Sequence, residues 1–190
     1  MRLLLSSFLL ITLCGCGAGA KPAPAPACDP ACQDNVALFA VRSMMRFAFN
    51  RAIAAMPVGA QDVTLPCLPS NGGSGSVRLS GDAESNAEQG ASFLMLNYDF
   101  ENCFFSAPPD PTPDQNYSVT LTANVSEQGT LTQQPSTNTA LTIQSDSVTL
   151  SGTVYDPPLD YSASSCALAA NQSGNDVSGF LCSRPAGFTF

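Results

Sequence analysis

The sequence predicts a mainly β protein with one N-terminal helix (α+β). An antiparallel sheet of about seven or eight strands, able to curve toward a half-barrel, should pack on helix 34–56 and be stapled by disulfides. Three observations carry this. A single alanine-rich apolar stretch, Asp34 to Met56, has helical composition and stops at Pro57-Val58-Gly59. Behind it the chain turns into Ser/Thr/Val-rich segments in which apolar and polar residues alternate. The cysteines that remain after the N-terminal segment number six, an even set.

In the helix, Asp29 or Asp34 can serve as N-cap. Asn35, Arg42, Ser43, Arg46 and Asn50 fall on one narrow polar stripe, while Val41, Met44, Met45, Phe47, Ala48, Phe49, Ala52 and Ile53 leave little surface that suits water, so the sheet should cover most of it. Among the strands, Leu94, Leu96, Tyr98, Phe100 and Phe104 form one buried face, with Asn97, Asp99 and Glu101 pointing away. Tyr117, Val119, Leu121, Ala123 and Val125 alternate with polar residues as a half-buried strand does. Apolar positions are odd in Leu141-Thr142-Ile143 but even at Val148, Leu150 and Val154, which places a turn or bulge at Ser145-Asp146.

Two segments echo each other. Ser76-Val77-Arg78-Leu79-Ser80-Gly81 recurs as Ser147-Val148-Thr149-Leu150-Ser151-Gly152, and Leu96-Asn97-Tyr98 with Cys103 recurs as Leu159-Asp160-Tyr161 with Cys166. Either 76–105 and 147–168 are related strand-turn-strand units, or the match reflects generic strand composition.

The N-terminus is a processing signal. Met1-Arg2 is followed by the apolar run Leu3 to Leu13 and then by small residues, the pattern of a secretory signal peptide. Leu13-Cys14-Gly15-Cys16 resembles the lipobox of bacterial lipoproteins. That resemblance implies removal of residues 1–15, diacylation of Cys16 by chains such as palmitate, and, with Gly17 rather than Asp next, an outer-membrane location in the cell envelope. It covers about twenty residues of the chain. Residues 16–27 continue as a Pro/Ala tether, which cannot form helix, and 28–190 are left as a single β-rich domain.

An exported domain with six cysteines suggests disulfides. Cys166 and Cys182 lie eight residues either side of Gly174 in a turn-rich segment, so they face each other in a hairpin centred there, and their disulfide should close this final hairpin of the chain, with Val177, Phe180 and Leu181 as its apolar cover. Cys67 and Cys103 are equidistant from Ser85, although the Gly-rich stretch Asn71 to Gly75 weakens that symmetry, and Cys28 and Cys32 pair by default.

Composition removes several functions. Lys+Arg 7 against Asp+Glu 15 gives a net charge of -8, which argues against nucleic-acid binding. With His 0, triad chemistry and His-ligated zinc are excluded. No catalytic residue, cofactor or metal site is assigned. Arg42 and Arg46, four apart, are weak candidates for holding an anionic ligand, against pairing with carboxylates of the sheet. Asp99 and Glu101 could serve as a glycosidase pair only in a cleft, and Asp110-Pro-Thr-Pro-Asp114-Gln-Asn116 lacks the regular spacing of a calcium loop. The expected role is therefore a non-catalytic, lipid-anchored envelope protein, structural or binding. The alternative is a carrier of a lipid or other apolar ligand between helix and sheet, favoured by a cavity lined by Met45, Phe47 and Phe49; the third is a carboxylate-dependent glycoside hydrolase.

Overall fold

The structure, a computed structural model, describes residues 28–55, 59–67, 75–86, 90–107, 112–132 and 138–190. The lipobox with Cys16, the tether, Asn71 to Ser74 and Asp110 lie outside the described residues. One helix, α1 (Pro30–Ala55), precedes eight strands: β1 (Gly59–Pro66), β2 (Ser76–Asn86), β3 (Ala91–Ser106), β4 (Tyr117–Thr132), β5 (Ala140–Val154), β6 (Leu159–Ser173), β7 (Asp176–Leu181) and β8 (Arg184–Thr189). They form one antiparallel sheet in the order β1 to β8, each strand beside its sequence neighbours. β1 and β8 are not paired, so the sheet is open. α1, about 39 Å long at 1.5 Å per residue, lies across the strands: its start meets β8, where Asn35 accepts from the Gly187 amide, and its end meets β1, where Arg51 donates to the Pro66 carbonyl. Despite its 26 residues, α1 is not apolar enough to cross a membrane, and no other helix among the described residues is.

The helix begins four residues before the expected Asp34. Asp29 is the cap, its Oδ1 accepting from the Cys32 amide at 2.8 Å, and Pro30 occupies the first helical position, where its missing N–H costs nothing. The Cys28–Cys32 disulfide spans that turn. Asp34 is thereby released from capping and is buried. Val36, Ala37, Leu38, Ala40, Val41, Met44, Met45, Ala48 and Ala52 are almost fully buried against the sheet. The expected polar stripe splits: Arg46 and Asn50 are exposed, whereas Arg42 turns into the core.

Two strands change face where a bulge intervenes. On β3, Leu94, Leu96, Tyr98 and Phe100 are buried as expected, but the register on β4 shifts between Phe100 and Cys103 and Asn102 takes φ 47. The extra residue reverses the alternation, so Cys103 and Phe105 point inward and Phe104 does not. β5 runs unbroken, with the expected irregularity as a register shift between Ser145 and Val148.

All three disulfides join the anticipated cysteines, with two differences of geometry. Cys67 and Cys103 do not face each other across one hairpin; they link the end of β1 to β3 past the intervening β2, over Gly75, where an added Cβ would lie 2.2 Å from the Asn102 oxygen. The hairpin containing Cys166 and Cys182 is followed by β8 and so is not the last. Its register pairs Leu168 with Leu181, and Cys182 falls in the two-residue turn to β8, where it and Ser183 have φ 54 and 62, the double left-handed pattern of a type I′ turn. Val177 and Leu181 are buried, but Phe180 projects outward at 55% exposure, since it stands on the opposite face of the strand.

The echoing segments both lie on strand pairs, Ser76–Gly81 on β2 beside β3 and Ser147–Gly152 on β5 beside β6. Tyr98 and Tyr161 both face inward, and each segment has a left-handed residue, Asn102 or Ser165, immediately before its cysteine. The registers differ by two residues: Gly81 opposes Leu96, whereas Gly152 opposes Tyr161. Gly81 has φ 119, and a Cβ there would sit 2.0 Å from the Met95 carbonyl oxygen. Gly81→Val should therefore push β2 from β3 and cost at least about 2 kcal/mol, some 4–8 °C in thermal midpoint. An unchanged midpoint by circular dichroism would show that the strands are not so closely apposed.

Candidate functional site

Two buried carboxylates organise the interior. Glu127 continues the inward alternation of Val119, Leu121, Ala123 and Val125 on β4, and is 2% exposed. Arg42 of α1, 3% exposed, meets it with Nη1 at 3.0 Å from Oε1 and donates through Nε to Gln172 Oε1 on β6 at 2.9 Å. Gln172 in turn donates through Nε2 to the Gly174 carbonyl at 2.8 Å. The Tyr98 hydroxyl of β3 donates to Glu127 Oε2. Three strands and the helix are thus joined by one charged network, and Arg42 has the carboxylate partner that a buried guanidinium needs. Glu127 Oε1 is sealed from solvent and makes no well-aligned hydrogen bond beyond its charge contact with Arg42.

The second centre is Asp34. Arg184 of β8 grips it through two bonds, Nε to Oδ2 at 2.6 Å and Nη2 to Oδ1 at 2.7 Å, and the Tyr161 hydroxyl of β6 donates to Oδ1 at 2.8 Å. The bidentate geometry fixes the edge strand β8 against the start of α1. Asn35 adds a bond, its Oδ1 accepting from the Gly187 amide at 2.8 Å.

These settings hold phenols neutral. Burial, the charge of Glu127 and the bond to it push Tyr98 well above its ordinary range; burial and the Asp34 carboxylate do the same to Tyr161, and burial raises Tyr117. Raised phenol pKa values mean that the folded state resists losing protons the unfolded state gives up near pH 10. The stability they add is complete below that pH and is lost as the pH climbs above it. In a spectrophotometric titration Tyr98 and Tyr161 should ionise only together with unfolding, above pH 10. Full ionisation of the phenols of Tyr98 and Tyr161 near pH 10 in the folded protein, reversed on lowering the pH, would contradict this.

Between α1 and the sheet, above the Arg42 network, lies a pocket of about 370 Å³. Its polar lining includes Arg42, Arg46, Asn50, Glu127, Gln172 and Asn175, and Phe49, Leu94, Leu131 and Phe190 form its apolar wall. Arg46 stands one helical turn beyond Arg42, with its guanidinium 4.4 Å from the centre of the Phe190 ring. Among the described residues no carboxylate pairs with it. Partial desolvation against the pocket wall and then the nearby charge of Arg42 pull its pKa below the ordinary value, although a guanidinium stays charged at neutral pH.

The structure thus brings Arg42 and Arg46 to one pocket, with the first already paired and the second open. Of the three residues expected to line an apolar cavity only Phe49 does so: Met45 is fully buried, and Phe47 packs edge-on against Phe105 at 5.2 Å. Asp99 and Glu101 are exposed on the outer face of β3, and Asp99 faces Arg78 of β2 rather than a cleft. Asp114 lies in a short 3-10 turn, Pro113–Gln115, and among the described residues no three His, Cys, Asp or Glu side chains gather as metal ligands do. Glu127, Gln172 and Arg184 were not singled out by the sequence, yet extending the alternation from Val125 by one step places Glu127 inside. No protein family, curated protein or solved structure matches the chain.

Proposed function

We propose that the protein is a non-catalytic binding module of the cell envelope, held at the outer membrane through acylated Cys16, that takes up a small ligand in the pocket between α1 and the sheet. The observation that carries the reading is that pocket, floored by a rigid charged network that includes the buried Arg42–Glu127 pair. Three disulfides suit an oxidising compartment, and the lipobox resemblance supplies the anchor. The non-catalytic reading rests on the lack of histidine and on the solvent-facing positions of Asp99 and Glu101. An apolar carrier is less well supported, since about half the lining is polar and 370 Å³ suits a small molecule rather than a diacyl lipid.

The anchor is tested by Cys16→Ser in the full chain. The native protein should incorporate labelled palmitate and sediment with membranes, and the variant should do neither, because two or three acyl chains supply the membrane affinity. A variant that still takes up label refutes the assignment.

A further inference from the structure

The geometry points to a small amphipathic carboxylate as the ligand of this pocket, its anionic end on Arg46 and its hydrocarbon body on Phe49, Leu94, Leu131 and Phe190. The inference rests on the pocket being a ligand site and adds the chemistry of what enters it.

Charge selects the anion. Among the side chains of the pocket wall are two guanidiniums and one carboxylate. Glu127 is spent on Arg42, 3.0 Å away, and both are sealed at 3% exposure or less, so the pair presents almost no net charge to an incoming molecule. Arg46 remains, exposed and without a carboxylate partner among the described residues. In a chain whose net charge is -8, a pocket whose accessible side-chain charge is positive is a local exception. Asn50, two helical turns from Arg42, and Asn175, in the turn after β6, stand at the same pocket with amide donors that an anion can use. The Phe190 ring lies against the Arg46 guanidinium and restrains it, leaving its N–H fork to be used by a planar acceptor. Arg42, held by Glu127 and Gln172, cannot swing out to compete for that acceptor.

Shape and polarity select the rest. Phe49 from α1, Leu94 from β3, Leu131 from β4 and Phe190 beyond β8 give the pocket an apolar side. Acetate or inorganic phosphate would satisfy Arg46 but leave that side wet, whereas a carboxylate with a hydrocarbon body fills both.

The test is calorimetric titration of the full mature chain in nanodiscs, with empty nanodiscs subtracted. The probes are 3-phenylpropanoate, hexanoate, acetate, 3-phenylpropanol and 3-phenylpropylamine. The two larger carboxylates should bind one to one, and acetate, the alcohol and the amine at least about tenfold more weakly. Arg46→Gln, at an exposed position, should weaken the carboxylates about ten- to hundredfold, and Arg46→Lys, which keeps the charge but loses the planar fork, should bind them with an affinity between those of Arg46→Gln and the native chain. If the alcohol or amine binds as well as the acid, or Arg46→Gln changes nothing, the anionic preference is wrong although the pocket still binds. Acetate binding as tightly as hexanoate overturns the amphipathic part. If none of the probes binds, this inference falls, and the pocket reading then depends on the co-purifying ligand considered in the Discussion.

Discussion

Glu127→Ala is expected to be among the most damaging single substitutions in the protein, costing about 3–5 kcal/mol and lowering the thermal midpoint by roughly 10 °C. Removing the carboxylate strands the Arg42 guanidinium at 3% exposure and takes away the acceptor of the Tyr98 hydroxyl. Arg42 keeps only Gln172, a neutral partner that does not offset a buried charge. The double replacement Arg42→Met with Glu127→Leu should be more stable than Glu127→Ala, since it removes the charge together with its partner and leaves only the polar groups of Tyr98 and Gln172 to be resolvated. Denaturant unfolding of Glu127→Ala, of the double variant and of its two single changes, Arg42→Met and Glu127→Leu, decides. A double variant as unstable as the sum of the two single changes would mean that the pair is not coupled as described.

Removing the Cys67–Cys103 disulfide by paired alanine substitutions should cost about 4 kcal/mol, the largest effect among the three bridges. Its sequence separation of 36 exceeds the 16 of Cys166–Cys182 and the 4 of Cys28–Cys32, and the entropy of the unfolded chain falls with the length of the loop closed. Cys67 and Cys103 are also 1% and 0% exposed, so alanine leaves unfilled space besides. The bridge crosses β2 and adds, to the pairing of the edge strand β1 with β2, a covalent tie from the end of β1 to β3. The three paired variants should therefore rank in that order by loss of stability. If loss of Cys28–Cys32 proved the most damaging, loop entropy would not be the governing cost.

How far the sequence could be read follows from which interactions are local. The helix and the antiparallel sheet were legible because composition and alternation act within a few residues, and the parity change in β5 disclosed its bulge at Ser145. The bulge in β3 was hidden because Asn102 interrupts the pattern next to three residues, Cys103, Phe104 and Phe105, any of which could face inward. Asp34 looked like a cap because Asp is at home there, and only Arg184, 150 residues away, makes it a core residue. Arg42 fell on the polar stripe of the helix by its chemistry, and what draws it inward is Glu127, a charge on a strand face otherwise filled by apolar residues. The pocket is the product of such distant pairings: α1, β3, β4, β6 and the residues after β8 each contribute, and nothing local to any of them marks a site.

A ligand held in the pocket between α1 and the sheet should travel with the protein through purification. Native mass spectrometry of the protein isolated from its own cells, beside Asn50→Trp, which fills the mouth of the pocket from an exposed helical position, tests this directly. The predicted result is a small-molecule adduct on the native chain, distinct from any acyl group, that Asn50→Trp lacks. Identical masses for the two proteins, each corrected for the substitution, with no adduct on either, would contradict it.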